Sequence, residues 1–357
     1  MNRWILAGFL VLQAAPAAAH VTVASLAATP SQPVALHDAG EGRIEVVYTA
    51  FSLLPSAIVW ELWQTQSADE GASWSAPTRI EPAIAPHIVA VQRMSANLVR
   101  SAGETLLVYQ WYTSAETGLW LARSASGLQF PSASPIALGW SMVAERDARV
   151  VAVGGQRLAM LYRRPIAEGD LPAGLYFAGS TDAGVAWDHA RTLVAADALG
   201  LDRPAFAVRA ADDRHLAAYT VDSGAGSRIL LVRTTLDATD WSAAPLAVSA
   251  AGDHLDPDLS VLADGSFLLV WARGDGAGGH DLVARRSSDG STWSPEITLV
   301  EGNGALLGSP FALGRGSPGV VDLYWSRITS TDPLAPAGVI EHDSVVVLDA
   351  VFADGFD

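Results

Sequence analysis

The sequence predicts an all-β fold: a six-bladed β-propeller built from four-stranded antiparallel blades. Three observations carry that reading. A turn motif recurs along the chain at nearly one period. Each copy lies between two short apolar, alternating runs, the pattern of half-buried strands joined by a tight turn. Roughly 340 residues remain after an N-terminal leader, and six units of about 56 account for them at four strands per unit.

Residues 1–19 read as a cleavable export signal. Arg3 supplies the positive start, Trp4 to Leu12 the apolar stretch, and Ala17-Ala18-Ala19 the small residues of a cleavage site. Gln13 and Pro16 interrupt the apolar run before the roughly twenty residues that a membrane span requires. Cleavage after Ala19 would make His20 the first residue of a secreted or periplasmic protein, and no later run is apolar enough to span a bilayer. The β-branched stretch from Val21 to Leu26 is expected to pair as the outermost strand of the last blade. Blades are expected at 43–81, 87–138, 142–195, 204–248, 255–300 and 306–349, so that one propeller spans 20–350. The first five blades carry the turn motif or a decayed copy. The sixth lacks both a motif and an outer strand, the vacancy that Val21 to Leu26 would fill. Residues 351–357 form a short acidic and aromatic tail.

Composition removes several classes of chemistry. Asp and Glu number 38 against 22 cations, a formal charge of −16, and all the cations are Arg. Without Lys there is no P-loop and no Schiff-base nucleophile. Without a basic patch there is no means of displacing counterions from nucleic acid. Zero Cys excludes disulfides, thiolate nucleophiles and cysteine zinc sites. No metal site is expected either: the Gly-rich loop from Gly274 to Asp281 lacks acidic residues at alternate positions. No cofactor is expected, and the chain reads as a monomer.

The turn motif has three full copies. They contain Ser67, Asp69, Gly71 and Trp74; Ser180, Asp182, Gly184 and Trp187; and, one residue shorter, Ser287, Asp289, Gly290 and Trp293. Decayed copies close on Phe130 and Trp241. Asp and Ser can bond the turn's own backbone, Gly relieves its φ constraint, and Trp fills the space between sheets. Ser-x-Asp-x-Gly-x-x-Trp resembles the Asp box of the sialidase (neuraminidase) superfamily of bacterial-neuraminidase-repeat propellers. The resemblance covers nearly the whole chain after the leader. It implies that each box joins the third and fourth strands of a blade, on the face opposite the catalytic centre, and that its Asp is structural.

The same resemblance implies three arginines for a sugar carboxylate, a Tyr nucleophile paired with Glu, and an Asp acid/base. In the family the first arginine lies in a Phe/Tyr-Arg-Ile-Pro motif before the first blade. Here the stretch from Ser31 to Leu36 contains no Arg. The leading expectation is therefore an exported propeller that binds glycans or a protein surface. The alternative is a glycoside hydrolase of exo-α-sialidase type with a divergent arginine site. Either site should lie at the axis, opposite the repeat turns. Candidate ligand-binding residues there are Arg146, Asp147, Asp202, Arg203 and Asp256 at the blade entrances, with Arg163 and Arg164 on an inner loop. Arg146 and Arg203 could each present a planar fork to a carboxylate or to sugar hydroxyls. Asp256 and Asp258 form a carboxylate pair, and Tyr324 reads as core.

Overall fold

The computed structural model describes residues 20–347, apart from 27, 39–41, 55–56, 81–86, 89–94, 113–116, 126–128, 141–144, 197–202, 237, 315–318 and 333–336. The leader at 1–19 and the tail at 351–357 thus lie outside the described residues. The chain forms six four-stranded antiparallel blades, and no helix occurs among the described residues.

The first strand, β1 (Val21–Leu26), belongs to the last blade. Blade one contains β2 (Thr29–Asp38), β3 (Arg43–Leu54), β4 (Ala57–Ser67) and β5 (Thr78–Arg79), with β6 (His87–Ile88) paired beside β4. Blade two is β7 (Ala96–Ser101), β8 (Glu104–Tyr112), β9 (Thr117–Ser124) and β10 (Ala133–Pro135). Blade three is β11 (Arg146–Gly154), β12 (Arg157–Arg164), β13 (Gly174–Ser180) and β14 (Asp188–Ala195). Blade four is β15 (Ala205–Arg209), β16 (Arg214–Gly224), β17 (Ser227–Thr235) and β18 (Leu246–Ala247). Blade five is β19 (His254–Val261), β20 (Phe267–Gly274), β21 (His280–Ser287) and β22 (Ile297–Val300). Blade six is β23 (Leu306–Gly314), β24 (Val320–Ser330) and β25 (Ala337–Val346), completed by β1.

Two expected boundaries shift. Blade one starts at Thr29 rather than 43, because β2 is its innermost strand. Pro30 and Pro33 obscure that strand in the sequence, yet a bulge between Ser31 and Val34 leaves no ladder bond for Pro33 to donate. Residues 87–88 pair with β4, so they belong to blade one and not to blade two.

Closure follows the expected route. Val21 lies opposite His342 and Leu26 opposite Gly338, so the start of the described chain covers an edge that would otherwise be unpaired. Val23 and Ala24 are buried in the same apolar cluster as Ile340 and Tyr324.

The cores lie between adjacent blades, and a buried aromatic recurs in the second strand of every blade. Tyr48, Tyr109, Tyr162, Tyr219, Trp271 and Tyr324 hold this place, none more than 1% exposed. Trp74, Trp187 and Trp293 pack partly buried against these clusters, while Phe130 and Trp241 are buried.

Candidate functional site

The repeat turns define one face of the molecule. All three full copies join the third and fourth strands of their blades. The first two are tied to the hairpins between first and second strands, with Glu70 N donating to Gly42 O at 3.0 Å and Ala183 N to Gln156 O at 2.8 Å. In each turn the Asp carboxylate accepts hydrogen bonds from its own loop. Asp182 Oδ1 accepts from Ser180 Oγ (2.8 Å), Val185 N (3.0 Å) and Ala186 N (2.9 Å), while Gly184 N donates to Ser180 Oγ at 2.8 Å. These bonds hold the carboxyl groups below the usual range. For Asp69 the leading cause is the Ser73 hydroxyl, and for Asp182 the Ala186 amide. Burial works upward on Asp289, but bonds from Ser291, Thr292 and Ser287 outweigh it and leave the group at about 2.

The turn glycines have two reasons to be glycine. Gly71, Gly184 and Gly290 have φ of +91°, +83° and +76°. A Cβ on Gly290 would stand 2.8 Å from Leu216 of blade four, and one on Gly71 would stand 2.8 Å from His342 of blade six. Each turn therefore presses on the blade before it. This is structural chemistry, in which the turn carboxylates hold their own loops together.

The opposite end of the axis is built differently. At or near the start of each innermost strand stands a polar residue followed by Pro or Ala: Gln32-Pro33, Ser95-Ala96, Asp147-Ala148, Arg203-Pro204, Asp256-Pro257 and Ser309-Pro310. All six polar residues are buried, Asp256 being the most exposed at 8%. The innermost strands neighbour one another in closed order, so these six residues form a circle about the axis.

Four members of the circle are in the left-handed region: Gln32 (φ 52°), Asp147 (51°), Asp256 (47°) and Ser309 (48°). Each sits within a register shift of its strand. A bulge re-aims a side chain, and a non-glycine residue with positive φ costs about 1–3 kcal/mol unless its surroundings enforce it. The same costly device in four blades fixes these side chains at the axis.

Within the circle, Ser309 Oγ donates to Asp256 Oδ2 at 2.9 Å, and Arg163 Nη1 donates to Asp147 Oδ2 at 3.1 Å. Arg146 Nε stands 3.7 Å from Asp147 Oδ2. Burial, and then the neighbouring Arg149, hold the Arg203 guanidinium down at about 10, while Asp258, Asp256 and Asp147 pull upward. It stays a cation at neutral pH. Three polar atoms of the circle are buried without a hydrogen-bond partner: Gln32 Oε1, Ser95 Oγ and Arg203 Nη1.

One layer further in, Arg149 of blade three pairs with Asp258 of blade five across the axis. Arg149 Nη1 also donates to Asn97 Oδ1 at 3.4 Å, and its guanidinium lies 4.8 Å from the Phe311 ring centroid. Asp258 Oδ2 accepts from Ala312 N at 3.0 Å. This layer closes the bottom of the circle. Burial pushes the Asp258 carboxyl up, and Arg149 and Arg203 oppose the shift.

The structure thus brings Arg146, Asp147, Arg163, Arg203 and Asp256 together. Asp202 lies outside the described residues. Arg164 is engaged elsewhere: it is fully buried, donating to Glu145 at 3.0 Å and Glu168 at 2.8 Å, with its guanidinium 4.0 Å from the Trp140 ring. Sequence reasoning missed Gln32, Ser95, Asn97 and Arg149. The polar-Pro/Ala dipeptide near the start of each innermost strand was the available signal. The tyrosines carry a second one, since five of the seven occupy the second-strand aromatic position. Burial raises Tyr48, Tyr109 and Tyr162 above the ordinary phenol value, the reverse of what an activated nucleophile needs.

No protein-family model matches the sequence, and no curated protein matches it. Solved structures do. A protein of unknown function from Dyadobacter fermentans is similar at 14% identity with a TM-score of 0.64, covering 90% of this chain and 97% of its own. A family-93 α-L-arabinofuranosidase of Fusarium graminearum, solved with arabinobiose, is similar at 12% identity and TM-score 0.62, covering 91% of this chain and 96% of its own. A Hadza microbial sialidase is similar at 14% identity and TM-score 0.60, covering 89% of this chain and 66% of its own. The chain shares the six-bladed propeller fold with that α-L-arabinofuranosidase and that sialidase.

Proposed function

We propose that the protein is an exported glycan-binding propeller whose saccharide ligand sits in the axial circle opposite the repeat turns. The observation that carries this reading is the set of unpartnered buried atoms Gln32 Oε1, Ser95 Oγ and Arg203 Nη1, arranged among fixed carboxylates. A buried polar atom left unpaired costs about 1–3 kcal/mol, and hydroxyls of a ligand can both donate to and accept from such a set. A polar, pre-organised circle fits a sugar better than a protein surface, which would offer apolar anchors. The glycan-processing neighbours in fold support the same ligand class by analogy. The leader at 1–19 supports export.

Hydrolysis is the second reading. Asp147 and Asp256 approach Arg203 from the blades on either side of it and supply two carboxylates. A sialidase mechanism is disfavoured by the missing first arginine and by the raised phenols.

The test is a screen of neutral and acidic glycans followed by titration of the best ligand. Arg203→Gln should weaken binding at least tenfold while the thermal midpoint stays close to that of the wild type. Saturable binding that is indifferent to Arg203→Gln, or no binding across the panel, contradicts the assignment. Release of reducing sugar from the bound glycan would favour hydrolysis.

A further inference from the structure

A cavity of about 370 Å³ lies between blades three and four, on the face of the repeat turns. Its lining includes the cross-strand pair Ala159 and Gly179 of blade three. The matching pair is Leu106 and Arg123 in blade two, Leu216 and Thr234 in blade four, and Leu268 and Arg286 in blade five. Of these four blades, only blade three has two small residues there. The backbone does not require Gly179, whose φ lies outside the left-handed region. Nor does packing, since a Cβ would meet only the Phe177 ring at 3.7 Å, an ordinary contact. A strand glycine without such a reason weakens its strand and often marks a place where another group approaches closely.

At the preceding junction the matching place is filled from within. Arg123 reaches out of blade two, its Nη2 donating to Ala183 O of the blade-three turn at 2.7 Å and its Nη1 to Glu104 at 3.2 Å. Gly179 provides no such side chain, and the space beside it is open. The accessible part of the lining suits the same kind of group. Leu236, 56% exposed, offers apolar surface to an alkyl stem, and the exposed Asp188 offers a carboxylate. Asp188 has no hydrogen bond or ion pair among the described residues. The other charged groups of the lining are engaged: Arg157 pairs with Asp213 at 3.0 Å, and His215 Nδ1 donates to the Asp213 carbonyl at 2.8 Å. The negative charge left over is that of Asp188.

We infer that the cavity between blades three and four binds an alkylguanidinium cation, the group that Arg123 supplies from within one junction earlier. The guanidinium faces Asp188, and the stem runs between Leu236 and the strand at Gly179. A cavity of about 150 Å³ is known to hold benzene, so one of about 370 Å³ admits the cation with its stem. The site lies on the face opposite the saccharide circle and does not depend on it.

The experiment titrates n-butylguanidinium into the purified protein at low salt, with n-butylurea as the uncharged probe of the same shape. The cation should bind about fivefold more tightly than the urea, and added salt should narrow that ratio. Asp188→Asn, at an exposed position, should bring the cation down to the affinity of the urea and leave the urea unchanged. Gly179→Arg supplies the group covalently, so it should abolish binding of both probes while a circular-dichroism melt shows an intact fold. Equal affinity for the two probes, a ratio unaffected by Asp188→Asn, binding that survives Gly179→Arg in folded protein, or no binding of n-butylguanidinium would overturn the inference.

Discussion

At the scale of single residues, one residue type does opposite work at the two ends of the axis. Asp69, Asp182 and Asp289 spend their acceptor sites on the backbone and hydroxyls of their own turns, so their carboxylates stabilise loops. Asp147 and Asp256 instead sit on strained bulges at the axis, where Arg163 and Ser309 donate to them. The first kind was legible in the sequence because its bonds are local, set by spacing within eight residues. The second was legible only as a candidate, because bulge geometry depends on the partner strand. A pH experiment separates the local account from others. With Asp289 at about 2 in the fold and about 3.9 unfolded, its charge stabilises the protein fully above about pH 4, and that share is lost as pH falls toward 2. Asp289→Asn should therefore lower the thermal midpoint by the same amount at pH 7 and pH 5, with the gap narrowing at pH 3. A gap independent of pH would mean that the carboxylate charge is not what the turn uses.

At the scale of strands, the last blade is completed by the beginning of the chain. The sequence suggested this because blade six ran out of residues while Val21 to Leu26 had no blade of its own. The innermost strand of blade one was harder to see, since prolines mask a strand wherever a bulge tolerates them. Removing residues 20–26 should expose β25 along its length and forfeit the burial of Val23, a side chain worth about 1.5–3 kcal/mol on its own. The whole protein should then melt several degrees lower in a single transition. An unchanged melting curve, or fast amide exchange across residues 21–26 of the intact protein, would contradict closure by β1.

At the scale of the whole molecule, the axis is divided by a single ion pair. Arg149 and Asp258 are 109 positions apart in sequence, and nothing local in either segment announces their contact. Only the closed circle of blades brings them together, which is why composition and motif reading could not find them. Asp258→Ala would leave the Arg149 charge buried without its partner and should cost about 3–5 kcal/mol. Arg149→Leu combined with Asp258→Leu should recover a large part of that loss. Full additivity of the two single substitutions would mean that the pair does not act as a unit.

The central claim is that the circle of polar residues opposite the repeat turns holds the ligand. Its most direct test is a crystal structure of the protein with the saccharide selected by the glycan screen. The account predicts the sugar on the axis, within hydrogen-bonding distance of Arg203 Nη1 and of at least one of Gln32 and Asp256. A saccharide bound on the repeat-turn face, or on the outer edge of a blade with the circle unaltered, would contradict it.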